Sequence, residues 1–152
     1  MVNAIEPHSG RFEGPRHLFA LRVYYEDTDL SGIVYHANYL RWFERARSDM
    51  LRLMGIDQRE ALDTGEGFYT VAGMTLRFAA PARLDDAVTV ESSALEIGAA
   101  SVTVRQRALC DGRLLAEADV RVGFVSPDGR PRRQPAPWRA AFASLLVPES
   151  IA

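Results

Sequence analysis

The strongest constraint in this sequence is a change of hydrophobic period. Tyr39, Phe43, Ala46, Met50, Leu53 and Met54 recur at three- to four-residue steps, which lays one apolar stripe along a helix. Arg41, Arg45, Ser48 and Arg52 fall on another face. Asn38 reads as the N-cap and Gly55 as the left-handed residue that ends the helix. From Phe68 onward the period is two. Ala72, Met74, Leu76, Phe78 and Ala80 alternate until Pro81, and Val88, Val90 and Ala94 repeat the pattern more weakly. Val102, Val104, Ala108 and Cys110 lead to Asp111-Gly112, a hairpin turn signal. Leu114, Ala116, Ala118, Val120, Val122 and Phe124 then form the clearest alternation.

Consecutive strands with short connections make an antiparallel sheet, and such a sheet needs cover on one face. One helix of about five turns is the available cover. Phe19, Leu21, Val23 and Tyr25 add a strand before it, Asp57 and Glu60 have capping-box spacing for a short second helix, and Trp138, Phe142, Leu145 and Leu146 predict a third. The class is therefore α+β in one domain, since 152 residues match the size of a single domain. Residues 1–16 read as a flexible arm and residues 17–147 as the folded unit.

Composition removes several chemistries. All 18 basic residues are arginine, which excludes a Schiff-base lysine, a lysine base and a P-loop lysine. Cys110 stands alone, so there is no internal disulfide, CxxC pair or multi-cysteine zinc site. His8, His17 and His36 are the only histidines, and no metal site is expected. A net charge of −2 gives no reason to expect nucleic acid, and no apolar run has the length of a membrane span. The first 14 residues lack the apolar core of a signal peptide, so the expected location is cytoplasmic.

The chemically informative stretch is Tyr24-Tyr25-Glu26-Asp27-Thr28-Asp29-Leu30-Ser31-Gly32-Ile33-Val34-Tyr35-His36-Ala37-Asn38-Tyr39. Three carboxylates lie within four residues, directly before the long helix. Clustered like charges raise a carboxyl pKa, a condition that general bases exploit. A helix start offers unpaired N–H groups to a developing oxyanion. A carboxylate beside such amides suits acyl transfer, although spacing alone favours a solvated acidic turn before a helix.

The segment VYYEDTDLSGIVYHANYLRWFERAR resembles the 4-hydroxybenzoyl-CoA thioesterase-like branch of the hotdog-fold superfamily, and within it the Tol-Pal-system-associated acyl-CoA thioesterases of the YbgC type. The resemblance implies a hotdog fold, a curved antiparallel sheet of about five or six strands wrapped around one long helix. It implies an acyl-CoA thioesterase needing no cofactor, with acyl-acyl carrier protein as another possible substrate. It also implies a homodimer with a continuous sheet, or a homotetramer, with active sites at the subunit interface. It places the catalytic carboxylate on Asp29, as nucleophile or general base, and a catalytic helper on His36. Gly32 would allow close backbone approach, and Tyr35 and Asn38 would shape the substrate pocket and cap the helix. Some relatives carry arginines at the turn before the penultimate strand to meet coenzyme A phosphates. Here that turn is Gly98-Ala99-Ala100, which leaves Arg83, Arg105 or a partner subunit for that task.

Other residues read as structural. Asp27 organises the loop, Glu44 forms a surface ion pair with Arg41 or Arg47, and Trp42, Phe43 and Cys110 belong to a core or interface. His8 and His17 are tail and strand-start residues, and Arg130, Arg132 and Arg133 are solvated. Two other functions stay open at this point: a hotdog hydratase or dehydratase acting on 3-hydroxyacyl thioesters, and a non-catalytic acyl-thioester-binding subunit of an envelope complex.

Overall fold

The computed structural model describes residues 3–147. Met1 and Val2 of the expected arm lie outside the described residues. The elements are β1 (Arg11–Glu13), β2 (Arg16–Arg22), α1 (Asn38–Leu53), α2 (Gln58–Asp63), β3 (Phe68–Phe78), β4 (Ala87–Ile97), β5 (Ser101–Cys110), β6 (Arg113–Val125) and α3 (Ala136–Ala143). One six-stranded antiparallel sheet has the order β1-β2-β4-β5-β6-β3. It curves around α1, the hotdog arrangement that the motif implies.

The sheet begins earlier than the period predicts. Arg11–Glu13 pairs with β2 inside the stretch read as an arm. Tyr25 is not part of a strand: β2 ends at Arg22, and Tyr25 opens a single 3₁₀ turn, 82% exposed. The Asp111-Gly112 signal holds, since φ of 50° and 76° at the two residues gives the left-handed pair of a tight hairpin.

The core lies between α1 and the concave face of the sheet. Phe43, Ala46 and Met50 of α1 meet Val88, Val90, Val104 and Val120. At the far end of the stripe Leu51 is buried and Leu53 is exposed, because the helix stops there. Gly55 takes φ +82°, and the Ile56 N–H reaches back to the Leu51 carbonyl, which closes the helix end. Asp57 caps α2 by accepting from the Glu60 N–H.

The convex face is charged. Glu91, Arg107, Glu117 and Arg77 stand directly opposite one another across β4, β5, β6 and β3. Glu117 receives both Arg77 and Arg107, and Arg105 holds Asp119 through two hydrogen bonds. Strand β3 lies at one end of the sheet, so its outer backbone edge has no neighbour among the described residues. Most of its side chains are exposed, including Val71 and Phe78.

Candidate active site

The motif forms a compact loop between β2 and α1. The Asp27 side chain accepts from the Tyr24 N–H at 2.8 Å. The Asp27 carbonyl accepts from the Tyr35 N–H and from the Asn38 side-chain amide, at 2.9 and 2.7 Å. Asp27 is thus the loop-organising acid that the sequence suggests. Asn38 has a different task from the expected one. It is the first residue of α1 rather than its cap, it is buried, and its amide fastens the loop to the helix. Ala37 occupies the cap position and no side chain caps the helix. The backbone N–H groups of His36 and Ala37 have no acceptor among the described residues.

Asp29 sits at the tip of this loop and is exposed. Its Oδ1 accepts from the Ser31 N–H at 2.8 Å and from the Ser31 hydroxyl. Its Oδ2 carries no hydrogen bond among the described residues. Gly32 donates its N–H to the Asp29 carbonyl at 3.0 Å with φ +80°, so the reversal of the chain requires the left-handed conformation. A Cβ at Gly32 would meet nothing within 4 Å, so conformation rather than close approach accounts for this glycine.

The electrostatics reverse one expectation. The Asp29 carboxyl is held below its ordinary value, chiefly by the Ser31 hydroxyl, then by the Ser31 N–H, with a smaller contribution from His36. Clustering with Glu26 and Asp27 does not raise it, because Ser31 hydrogen-bonds the charged form and the acid is solvated. Asp29 is therefore an anion at neutral pH, with one oxygen anchored and the other open. Ser31 is a residue that the motif reading left without a task. Its signal was the Asp-x-Ser spacing, which favours a side-chain-to-backbone turn.

His36 lies against the ring of Tyr35, with centroids 4.6 Å apart, and meets Phe78 of β3 edge-on at 6.2 Å. Tyr39 contacts the same Phe78 at 5.6 Å. The end of β3 therefore forms a wall beside His36 and Tyr39. A backbone bond from Val34 N–H to the Ala82 carbonyl, 2.9 Å, ties the motif loop to the β3–β4 connection. The structure thus gathers Asp29, Gly32, Tyr35, His36 and Asn38 at the start of α1, with Asn38 buried beneath the others. No cluster of three or more metal-ligating side chains occurs among the described residues.

Three charged residues depart from their expected places. Arg105 is engaged by Asp119 on the convex face. Arg47 is buried and donates to Gln106 at 2.8 Å, and Glu44 makes no ion pair with Arg41 or Arg47 among the described residues. The uncharged Gly98-Ala99-Ala100 turn acquires a cation from elsewhere: Arg139 of α3 donates to the Gly98 carbonyl at 3.1 Å.

Comparisons with known proteins show what the chain resembles. A model of the thioesterase-like superfamily matches residues 23–146. The acyl-CoA thioesterase YbgC of Haemophilus influenzae is 37% identical over 128 residues, covering 84% of this chain and 94% of that protein. The acyl-CoA thioester hydrolase YbgC of Escherichia coli O6:H1 is 40% identical over 124 residues, covering 80% and 92%. The crystal structure of a probable thioesterase from Bartonella henselae superposes with a TM-score of 0.74 at 36% identity, covering 79% of this chain and 99% of that one.

Proposed function

The chain belongs to the thioesterase-like superfamily, and from that premise we propose that it hydrolyses acyl-CoA to a carboxylic acid and free coenzyme A through Asp29. The observation that carries this mechanism is the Asp29 carboxylate itself, anionic, anchored on one oxygen by Ser31 and open on the other, at the start of α1. Oδ2 attacks the thioester carbon, or removes a proton from a water that attacks it. The charge that develops on the carbonyl oxygen is stabilised by the unpaired amides at His36 and Ala37. Collapse of the tetrahedral species breaks the C–S bond and expels the thiolate, which His36 assists by orienting water or giving a proton. Hydrolysis of the covalent intermediate, if one forms, consumes the same single water.

Gly32 and Tyr35 border the reacting group, while Asn38 acts by holding the loop on the helix. The exposed Arg83, next to the Ala82 carbonyl that holds the motif loop, is the arginine that best suits the carrier phosphates. An acyl carrier protein in place of coenzyme A would meet the same residues.

The unpaired outer edge of β3 and its exposed Val71 and Phe78 support a homodimer joined through β3, and pairs of dimers would give a tetramer. A cytoplasmic, Tol-Pal-associated role rests on the motif resemblance and on the similarity to the YbgC proteins. No helix among the described residues is long and apolar enough to cross a membrane.

The deciding assay is thiol release across aliphatic and aromatic acyl-CoAs. Release supports the hydrolase. Water addition to an enoyl thioester without thiol release would support the hydratase instead, and saturable binding with no release would support the binder.

A further inference from the structure

A cavity of about 370 Å³ lies between α1 and β3. The hydrolytic residues do not line it. Its floor is apolar, with Val104 and Val122 of the sheet and Met50 of the helix, and Phe142 closes one side. Glu44, Arg47 and Ser48 make a polar wall along α1. Arg47 lies nine residues beyond Asn38 in the same helix, which puts it about 14 Å along the axis from the amides at the helix start.

Arg47 is the unusual member of this lining. It is 9% exposed, and its Nη1 donates to Gln106 Oε1 at 2.8 Å. Gln106 is fully buried and fixed in turn, its amide nitrogen donating to the Phe43 carbonyl at 3.0 Å and to Ser92 Oγ at 2.9 Å. Burying a cation is costly unless carboxylates or several hydrogen bonds compensate it. Here the anchor is a neutral amide, and a guanidinium has five N–H donors. The donors that Gln106 does not use have no partner among the described residues, and the residue borders the cavity. Glu44 is exposed at the same wall and favours the charged form of Arg47 electrostatically, without forming an ion pair with it among the described residues. Its carboxylate would repel an anionic tail while accepting from a hydroxyl.

We propose that this cavity receives the acyl group of the thioester and that Arg47 selects acyl groups with a remote hydroxyl over plain alkanoyl groups of equal length. The inference rests on the thioesterase reading above and names its substrate class. A hydroxyl accepts from the unused guanidinium N–H groups. An alkyl tail displaces water from them and offers nothing in return, the situation in which hydrogen-bonding sites discriminate best.

The test compares kcat/KM of the full-length protein for 8-hydroxyoctanoyl-CoA and nonanoyl-CoA, which differ by hydroxyl against methyl at the tail. The expected preference for the hydroxyacyl substrate is about 10-fold or more. Arg47→Met should bring the ratio close to one while both substrates are still hydrolysed. Arg47→Lys, which keeps a cation, should retain part of the preference. A wild-type ratio near one, or a preference that persists in folded Arg47→Met, overturns the proposal. The wild-type ratio decides the matter even if Arg47→Met fails to fold. Absence of thiol release from both substrates would instead overturn the thioesterase reading, so the two failures are distinguishable.

Discussion

Ser31 directs both its N–H and its hydroxyl to a single oxygen of Asp29. That arrangement orients the carboxylate and keeps it ionised, and it leaves Oδ2 without a hydrogen bond among the described residues. On the proposed mechanism Asp29 acts as the anion, so a lower pKa extends activity toward acid. Ser31→Ala removes the largest stabiliser of that anion and keeps the backbone bond. The acid limb of the kcat/KM profile should therefore move to higher pH, with a modest change at neutral pH. A limb that stays in place would contradict the assigned role of Ser31.

A second carboxylate does structural work. His17 is fully buried, and its Nε2 lies 2.7 Å from Asp49 Oδ2, which also accepts from the Gly10 N–H at 2.9 Å. Burial lowers the pKa of His17, more than Asp49 raises it, so the ring is neutral and Nε2 carries the proton shared with Asp49. Its Nδ1 has no hydrogen-bond partner among the described residues. As pH falls below about 6.5, the unfolded chain takes up a proton on His17 that the folded chain refuses. Stability should decline through that window by up to about 1.4 kcal/mol per pH unit. Thermal unfolding followed at several pH values checks this. His17→Gln should flatten the dependence between pH ~6.5 and ~5 while lowering stability at neutral pH.

Gln106 joins α1 to two strands through three hydrogen bonds. Gln106→Leu would leave the Phe43 carbonyl, Ser92 and Arg47 without their shared partner. The expected cost is about 3 kcal/mol, since one of the stranded groups is charged. Urea denaturation measures it, and a loss under about 1 kcal/mol would show that water replaces the amide readily.

The β3 edge gives a prediction about assembly. Val71→Asp places a charge on the exposed apolar edge strand, a device that natural sheets use against pairing. The variant should sediment as a monomer and lose turnover in proportion. A wild-type chain that is monomeric at assay concentrations would contradict a β3-joined dimer.

How far the fold was legible depended on whether a local period controlled it. The strands from Phe68 to Val125 and the apolar side of α1 follow repeats of two and 3.6, and both emerge near their expected bounds. The short β1 strand has three residues, too few to show a period, and it forms because its register with β2 is available. Tyr25 kept the parity of its strand but lost the strand, because the Asp27 side chain takes the Tyr24 N–H and turns the chain. The motif singled out Asp29 and His36, but the charge state of Asp29 depended on Ser31, a contact that charge clustering could not foretell. Polar residues inside apolar stripes were the overlooked signal. Asp49 lies among Ala46, Met50 and Leu51, and His17 shares the parity of Phe19, and each turned out to be buried against the other.

The central claim is that Asp29 performs the reaction. Asp29→Asn keeps the size and the hydrogen-bonding shape of the side chain and removes its charge. Thiol release from an acyl-CoA substrate, measured for the variant beside the wild type with matched circular dichroism, tests the claim directly. The account predicts a folded protein with turnover reduced by at least about 10²–10³. A folded variant that keeps near-wild-type turnover would contradict it.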